Sequence, residues 1–354
     1  MGCKGDPNMN TSVLYALAAA ALFGASTPLA KLLGVDVAPM LLAGVLYLGS
    51  GVGLAIVRCA RDRGWRRSGL AAREWPWLMG AILFGGVLAP VALMFGLTRT
   101  AGATASLLLN LESVLTALLA WLVFKENADR PIVIGMIAIV LGGIVLSWPQ
   151  HSAAAHDWVG PLAVAFACLC WAIDNNLTRK VSASDALFIA GSKGLAAGVV
   201  NTGLALAIGA QLPAATTLGP ILLVGFLGYG VSLVLFVLAL RGLGSARTGA
   251  YFSTAPFLGA LISILILGES VSLWFLVAAA LMAIGVWIHL MENHAHEHQH
   301  EPLAHNHRHR HDEHHQHEHG FEWDGSEPHS HPHEHAPIRH SHAHFPDVHH
   351  RHRH

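Results

Sequence analysis

Apolar stretches of 17 to 25 residues follow one another from residue 12 to residue 290. A helix of roughly that length crosses the hydrocarbon core of a bilayer, about 30 Å thick. In that medium every backbone polar group needs an internal partner, and a helix supplies one for each residue. The chain is therefore predicted to be an all-α membrane protein. Ten spans are read, at 12–33, 37–57, 75–97, 101–124, 131–149, 158–179, 184–209, 218–240, 244–267 and 272–290. Connections are short, and the longest covers 58–74. The charged fraction supports this reading, at 12% against about 25% in an ordinary soluble domain.

Charge is segregated. Up to residue 290 there are 16 Lys+Arg against 11 Asp+Glu; beyond it there are 5 against 11. Arg58, Arg61, Arg63, Arg66, Arg67 and Arg73 follow span 2, Lys125 and Arg130 follow span 4, Arg179 and Lys180 end span 6, and Arg241 and Arg247 follow span 8. These are alternate loops, and the other set is nearly bare apart from Lys31 and Arg99 near span ends. The positive-inside rule puts the basic set in the cytoplasm of a bacterial inner membrane. An even number of spans then places both termini there. Trp75, Trp77, Trp121, Trp148, Trp158 and Trp274 lie near predicted span ends, where amphipathic rings favour the interface. Cys3, Cys59, Cys168 and Cys170 form no CxxC, so neither a disulfide scaffold nor a zinc knuckle is expected. No apolar region precedes Cys3, so a cleaved lipoprotein signal is not expected and the first span reads as a retained helix.

Two segments match at an offset of 143 residues: ATASLLLNLESVLTALLAWLVFKE at 103–126 and ARTGAYFSTAPFLGALISILILGE at 246–269. Ala103 falls on Ala246, Ser113 on Pro256, Ala117 on Ala260 and Glu126 on Glu269. Leu22–Lys31 and Cys170–Arg179 share a weaker pattern. A duplicated unit of five spans is inferred, 12–149 and 158–290, after a short lead-in at 1–11. An odd number of spans per unit inverts the second copy in the membrane, the symmetry by which many carriers alternate access to a central site.

These two blocks, with the ALAAALFGASTPLAKLL of the first span, resemble the drug/metabolite transporter superfamily and its EamA-type ten-span members. The resemblance covers about residues 12–290. It implies two inverted five-helix repeats around a central cavity, moving small metabolites by proton antiport or exchange. Members often carry proline in the first block where this chain has Ser113; the second block keeps Pro256. A changed helix break in the first repeat is therefore expected. The histidine-rich tail lies outside the family pattern.

A charge in hydrocarbon costs roughly 2.5–3.5 kcal/mol on insertion scales, so it needs a partner or a cavity. Glu112 lies near the middle of span 4, with Asn110 two residues before it. As a transport group it would bind a cation or carry a proton between sides; as a structural group it would tie helices together. Asp174, Asn175 and Asn176 make a polar step in span 6, and Lys193 and Asn201 lie in span 7. Such side chains should face the bundle. Two pairings are open, Asp174–Lys193 and Glu112–Lys193, each serving either as a solute site or as a locking bridge. Trp171, Phe95, Tyr229, Tyr251 and Phe252 offer an aromatic wall for a small organic solute, or plain packing. The predicted pathway comprises Glu112, Asn110, Asp174, Asn175, Lys193, Trp171 and Tyr251. Gly24, Pro28, Pro90, Gly96 and Pro256 are expected kinks or hinges. Gly225, Gly228 and Gly230 are expected to let helices pack closely. Glu126 and Glu269 are expected to cap or anchor helix ends.

Residues 291–354 hold 23 of the 26 histidines and are predicted to be a disordered cytoplasmic tail, too poor in apolar residues to fold alone. Neutral imidazole suits Zn, Ni, Co and Cu. The expected metal-binding set is His294, His296, His298, His300, His305, His307, His309, His311, His314, His315, His317 and His319. The spans offer no buried histidine, apart from His289 at the last end, so tail and cargo are separate questions.

These features predict a secondary active transporter, an exporter of a small organic metabolite such as an amino acid, coupled to protons. The alternatives are a divalent-metal transporter, a metal-responsive sensor using the tail, and an integral-membrane enzyme. No nucleotide loop or HExxH supports the last. The predicted partners are the lipid bilayer, a small solute, protons and transition-metal ions, with no nucleic acid and no required cofactor. A monomer or a homodimer is compatible with the sequence.

Overall fold

Helices form where apolar residues run without interruption, and a proline or a glycine marks some of their ends. The computed structural model describes residues 7–64, 68, 70–124, 130–148, 158–181, 184–290, 294–299, 303–309, 329–335 and 339–344. Seven helical stretches there are long and apolar enough to cross a membrane: Thr11–Leu33, Pro39–Asp62, Ala72–Arg99, Gly102–Val123, Val159–Thr178, Ala186–Ala207 and Ala215–Ala239. Shorter apolar helices, Val133–Ser147, Ala255–Leu267 and Leu273–Ile288, occupy the three remaining expected positions. They are numbered below as spans 1 to 10 in chain order. Proline opens span 2 at Pro39, where the missing N–H has no helical partner to lose. Gly268 closes span 9 with φ 64°, a left-handed conformation that costs glycine little.

Span 2 lies along span 7. Their approach depends on glycine: a Cβ on Gly194 would stand 2.7 Å from the Cα of Gly51. Between membrane helices there is no water to expel, so such close backbone packing is itself a main source of cohesion. The largest apolar cluster gathers Leu41, Leu46, Leu93, Met94 and Leu108 from spans 2, 3 and 4. Trp75, Trp77, Trp121, Trp148, Trp158 and Trp274 are all exposed, each close to a helix end.

Two spans contain a π-helical stretch, Ile82–Leu88 in span 3 and Phe226–Val231 in span 8. They lie at nearly the repeat offset from one another. Two helices also break within apolar stretches. Span 4 stops at Leu108 and restarts at Leu111; the chain stops at Phe252 and restarts at Ala255. The first break therefore survives without a proline at position 113. There the Ser113 hydroxyl donates to the Asn110 carbonyl at 2.8 Å, and Glu112 N–H donates to Leu109 O at 3.1 Å in a tightened turn.

One boundary differs from the sequence reading. Spans 8 and 9 are expected to part at 241–243, but the helix Ser232–Phe252 runs through that point. Arg241–Gly242–Leu243–Gly244 contains no proline, so its backbone ladder continues. At the equivalent place in the first repeat, Thr100 is extended (φ −134°, ψ 143°) and separates spans 3 and 4.

At the arginine-rich end, Asp185 opens span 7, accepting from Leu187 N–H at 3.1 Å. Its other oxygen accepts from Arg58 Nε at 3.2 Å and Arg61 Nη2 at 2.6 Å. Burial alone would raise this carboxyl, but the hydrogen bonds from Arg61 and Arg58 outweigh it and hold Asp185 below its ordinary range. A depressed acid stabilises the fold at pH values above its unfolded titration. That stabilisation is lost as pH falls through the lower, folded value. Asp185→Ala removes both cap and ion pair and should cost about 1–2 kcal/mol at neutral pH. The difference from wild type should shrink as pH falls below the ordinary carboxylate range, measured by thermal unfolding in detergent.

The chain divides into Met1–Glu292 and Asn293–His354. In the second unit, where the sequence predicts no order, the described residues form two antiparallel ribbons: β1 (His294–Gln299) with β4 (Arg339–His344), and β2 (Leu303–His309) with β3 (His329–His335). Alternation of histidine with other residues has a period of two, which is the period of a strand.

Candidate functional site

The broken helix of span 4 sets the site. Glu112 lies in the first turn of the helix Leu111–Phe124, where free N–H groups favour a carboxylate. Its Oε1 accepts from Asn175 Nδ2 of span 6 at 2.8 Å, and the same amide reaches Thr116 Oγ1 at 3.4 Å. Glu112 is half-buried and Asn175 exposed, so this pair keeps access to its surroundings.

The preceding residue of span 6 points elsewhere. Asp174 is buried, and both its oxygens accept from Lys193 Nζ of span 7, at 2.7 and 2.6 Å. Thr178 Oγ1 adds a bond to Asp174 Oδ1 at 2.8 Å. Of the two pairings left open by the sequence, Asp174–Lys193 is the one that forms. Glu112 is instead bonded to a neutral amide, while remaining in electrostatic range of Asp174 and Lys193.

The π stretch of span 3 supports the ion pair. A wide helical turn frees a carbonyl from the usual ladder. Gly85 O accepts from Tyr47 OH at 2.9 Å and from Trp171 Nε1 at 3.1 Å. A Cβ on Gly85 would collide with the Asp174 carboxylate, so only glycine leaves room for the pair. Asn201 of span 7 donates to Gly86 O and Val87 O at 3.3 and 3.2 Å. The second π stretch contributes Tyr229. Its ring lies 5.4 Å from that of Tyr47 and 6.0 Å from that of Phe23, and Phe23 meets Phe252 at 5.5 Å. Spans 1, 2 and 8 and the end of the helix Ser232–Phe252 thus share one aromatic row.

Of the predicted pathway residues, Glu112 and Asn175 form one hydrogen-bonded pair and Asp174 and Lys193 a second, with Trp171 beside the second on Gly85 O. Asn110 is buried but turns away from Glu112, donating to Leu107 O at 2.9 Å and approaching Met282 Sδ of span 10 at 3.9 Å. Tyr251 lies at the second helix break, where its carbonyl accepts from Thr254 Oγ1 at 2.6 Å. Phe95 is exposed beneath the Arg99 guanidinium, outside the aromatic row. Tyr47, Gly85, Thr116, Thr178 and Phe23 were missed by the sequence reading. The adjacent Gly85–Gly86 in an otherwise regular apolar span was the available signal.

Glu269 has a distinct place. Its oxygens accept from Gly102 N–H at 2.6 Å and Ala103 N–H at 2.7 Å, capping the start of span 4. Beside it, Lys31 Nζ donates to Leu97 O at 2.9 Å and to Thr100 O. Its repeat counterpart Glu126 lies outside the described residues, as do Lys125, Arg66, Arg67 and, in the tail, His300, His311, His314, His315, His317 and His319.

The model of the EamA-like transporter family matches this chain twice, at residues 10–148 and 158–291. A protein of Methanothermobacter thermautotrophicus, described as an uncharacterized transporter, is 26% identical over 287 residues, covering 77% of this chain and 84% of its own. A second uncharacterized transporter, from Clostridium kluyveri, is 22% identical over 209 residues, covering 57% and 67%. A crystal structure of a protein 19% identical in sequence shares the fold, with a TM-score of 0.60 over 78% of this chain and 94% of that one. The double match covers both halves of the helical bundle, and the chain belongs to the EamA-like transporter family of multi-pass membrane proteins.

Proposed function

We propose that this chain is a proton-coupled secondary carrier that exports a small organic metabolite, such as an amino acid, across a bacterial inner membrane. The carrying observation is Glu112. It is a carboxylate at a helix break in the middle of a span, half-buried, and held by the neutral amide of Asn175. Lys193 is already committed to Asp174, so the lysine does not fix Glu112 in its charged form. A carboxylate without a bonded cation can take and release a proton as its surroundings change. The Asp174–Lys193 pair is read as the rigid wall of the site, and Tyr47, Tyr229 and Phe23 as an apolar surface for the solute.

The test is transport by proteoliposomes under an imposed pH gradient, after a screen of amino acids, nucleosides and divalent metals has found a solute. Glu112→Gln keeps the size of the side chain and should reduce proton-driven flux to that of protein-free vesicles. Solute-for-solute exchange at symmetric pH should persist. Proton-driven flux equal to wild type would remove Glu112 from the coupling.

Orientation follows from the same proposal. The arginine-rich ends of spans 2 and 7, with both termini, face the cytoplasm. Val35, exposed between spans 1 and 2, then lies outside. In a background lacking the four native cysteines, Val35→Cys should react with a membrane-impermeant maleimide in intact cells. Labelling only after lysis would reverse the orientation.

A further inference from the structure

The tail carries a pattern that transport of an organic solute leaves unexplained. Its four described strands contain 13 histidines, and 12 of them stand directly opposite another histidine. In the first ribbon His294 faces His344, His296 faces His342, and His298 faces His340. In the second, His305 faces His333, His307 faces His331, and His309 faces His329; His335 alone faces Leu303. The intervening pairs are mixed, for example Ala295 with Ala343, Glu297 with Ser341 and Arg308 with Ser330. Because successive residues of a strand belong to opposite faces, each ribbon has three histidine rungs on a single face.

Two-stranded ribbons are marginal in water, and these have no apolar face to bury. Something other than hydrophobic packing must hold the register. Opposite residues in an antiparallel pair are about 5 Å apart, and same-face neighbours along a strand about 7 Å apart. Two successive rungs therefore gather four imidazole-bearing positions around one small volume. Neutral imidazole is a good ligand for borderline divalent ions, with metal–nitrogen distances near 2.0–2.1 Å for zinc. A bound ion would supply the cohesion that the ribbons lack, since ligand assembly and folding are then one process.

We propose that each tail ribbon is a binding site for a divalent transition-metal ion, built from successive cross-strand histidine rungs and formed together with the ion. This differs from a brush of equivalent histidines, because pairing position decides which of them matter.

The experiment uses the full chain in detergent, stripped with chelator and titrated with zinc by calorimetry. One variant carries His294→Asn, His296→Asn, His298→Asn, His305→Asn, His307→Asn and His309→Asn, which removes one side of every rung. A control carries the same six-fold change at His300, His311, His314, His315, His317 and His319. Size-exclusion profiles verify that both retain the bundle. The expected result is loss of the tight zinc class in the first variant and its retention in the control. Equal weakening in both variants, or tight binding surviving in the first, would overturn the proposal.

Discussion

Lys193→Met is expected to destabilise the bundle by about 3–5 kcal/mol, the usual effect of removing one partner of a buried pair. The Asp174 side chain is only 7% exposed and that of Lys193 15%, so water cannot replace the lost ammonium. Thr178 would remain as a single donor to a buried carboxylate. The double variant Asp174→Asn/Lys193→Met should recover much of the loss, because no uncompensated charge is then left in the interior. Thermal unfolding in detergent measures both. A single variant as stable as wild type would show that the pair is wet, and the reading of Asp174–Lys193 as a rigid wall would fail.

Gly85→Ala should have the next largest effect. The added methyl would occupy the place of the Asp174 carboxylate. Either the carboxylate leaves Lys193, or span 3 moves away from span 6 and gives up the bonds from Tyr47 and Trp171. Forcing extra volume into a packed core costs about 1–3 kcal/mol, and disruption of the ion pair adds to this. Gly203→Ala provides the comparison. Gly203 is helical and nothing lies within 4 Å of the point where its methyl would stand, so that change should be neutral or stabilise by roughly 0.5–1 kcal/mol. Unfolding temperatures that move together for the two glycines would contradict the packing described around Gly85.

Much of the bundle was legible in the sequence because hydrocarbon imposes a length and a polarity on every crossing. Glu112, Asp174 and Lys193 could be singled out for the same reason, since a charge at membrane depth is costly wherever it faces. Their partners were not legible. Whether Lys193 turns to Asp174 or to Glu112 depends on rotation about helix axes, and apolar residues on all sides of a span leave that rotation unmarked. The role of Gly85 was hidden too. A pair of glycines suggests close packing, but the acceptance of two side-chain hydrogen bonds by one carbonyl follows from the wider turn. In the tail, composition suggested metal ligands and no order. The strand register depends on which distant segments pair, and a low-complexity sequence offers many alternatives.

The two wide turns also bear on the chain's history. A π turn is equivalent to an α-helix with a surplus residue inserted. Ile82–Leu88 and Phe226–Val231 carry that surplus at matching places in the two halves. The simplest descent is one insertion in an ancestral five-helix gene, inherited by both copies. Tyr47 and Trp171 would then have come to exploit, at Gly85, an irregularity older than the ten-helix protein.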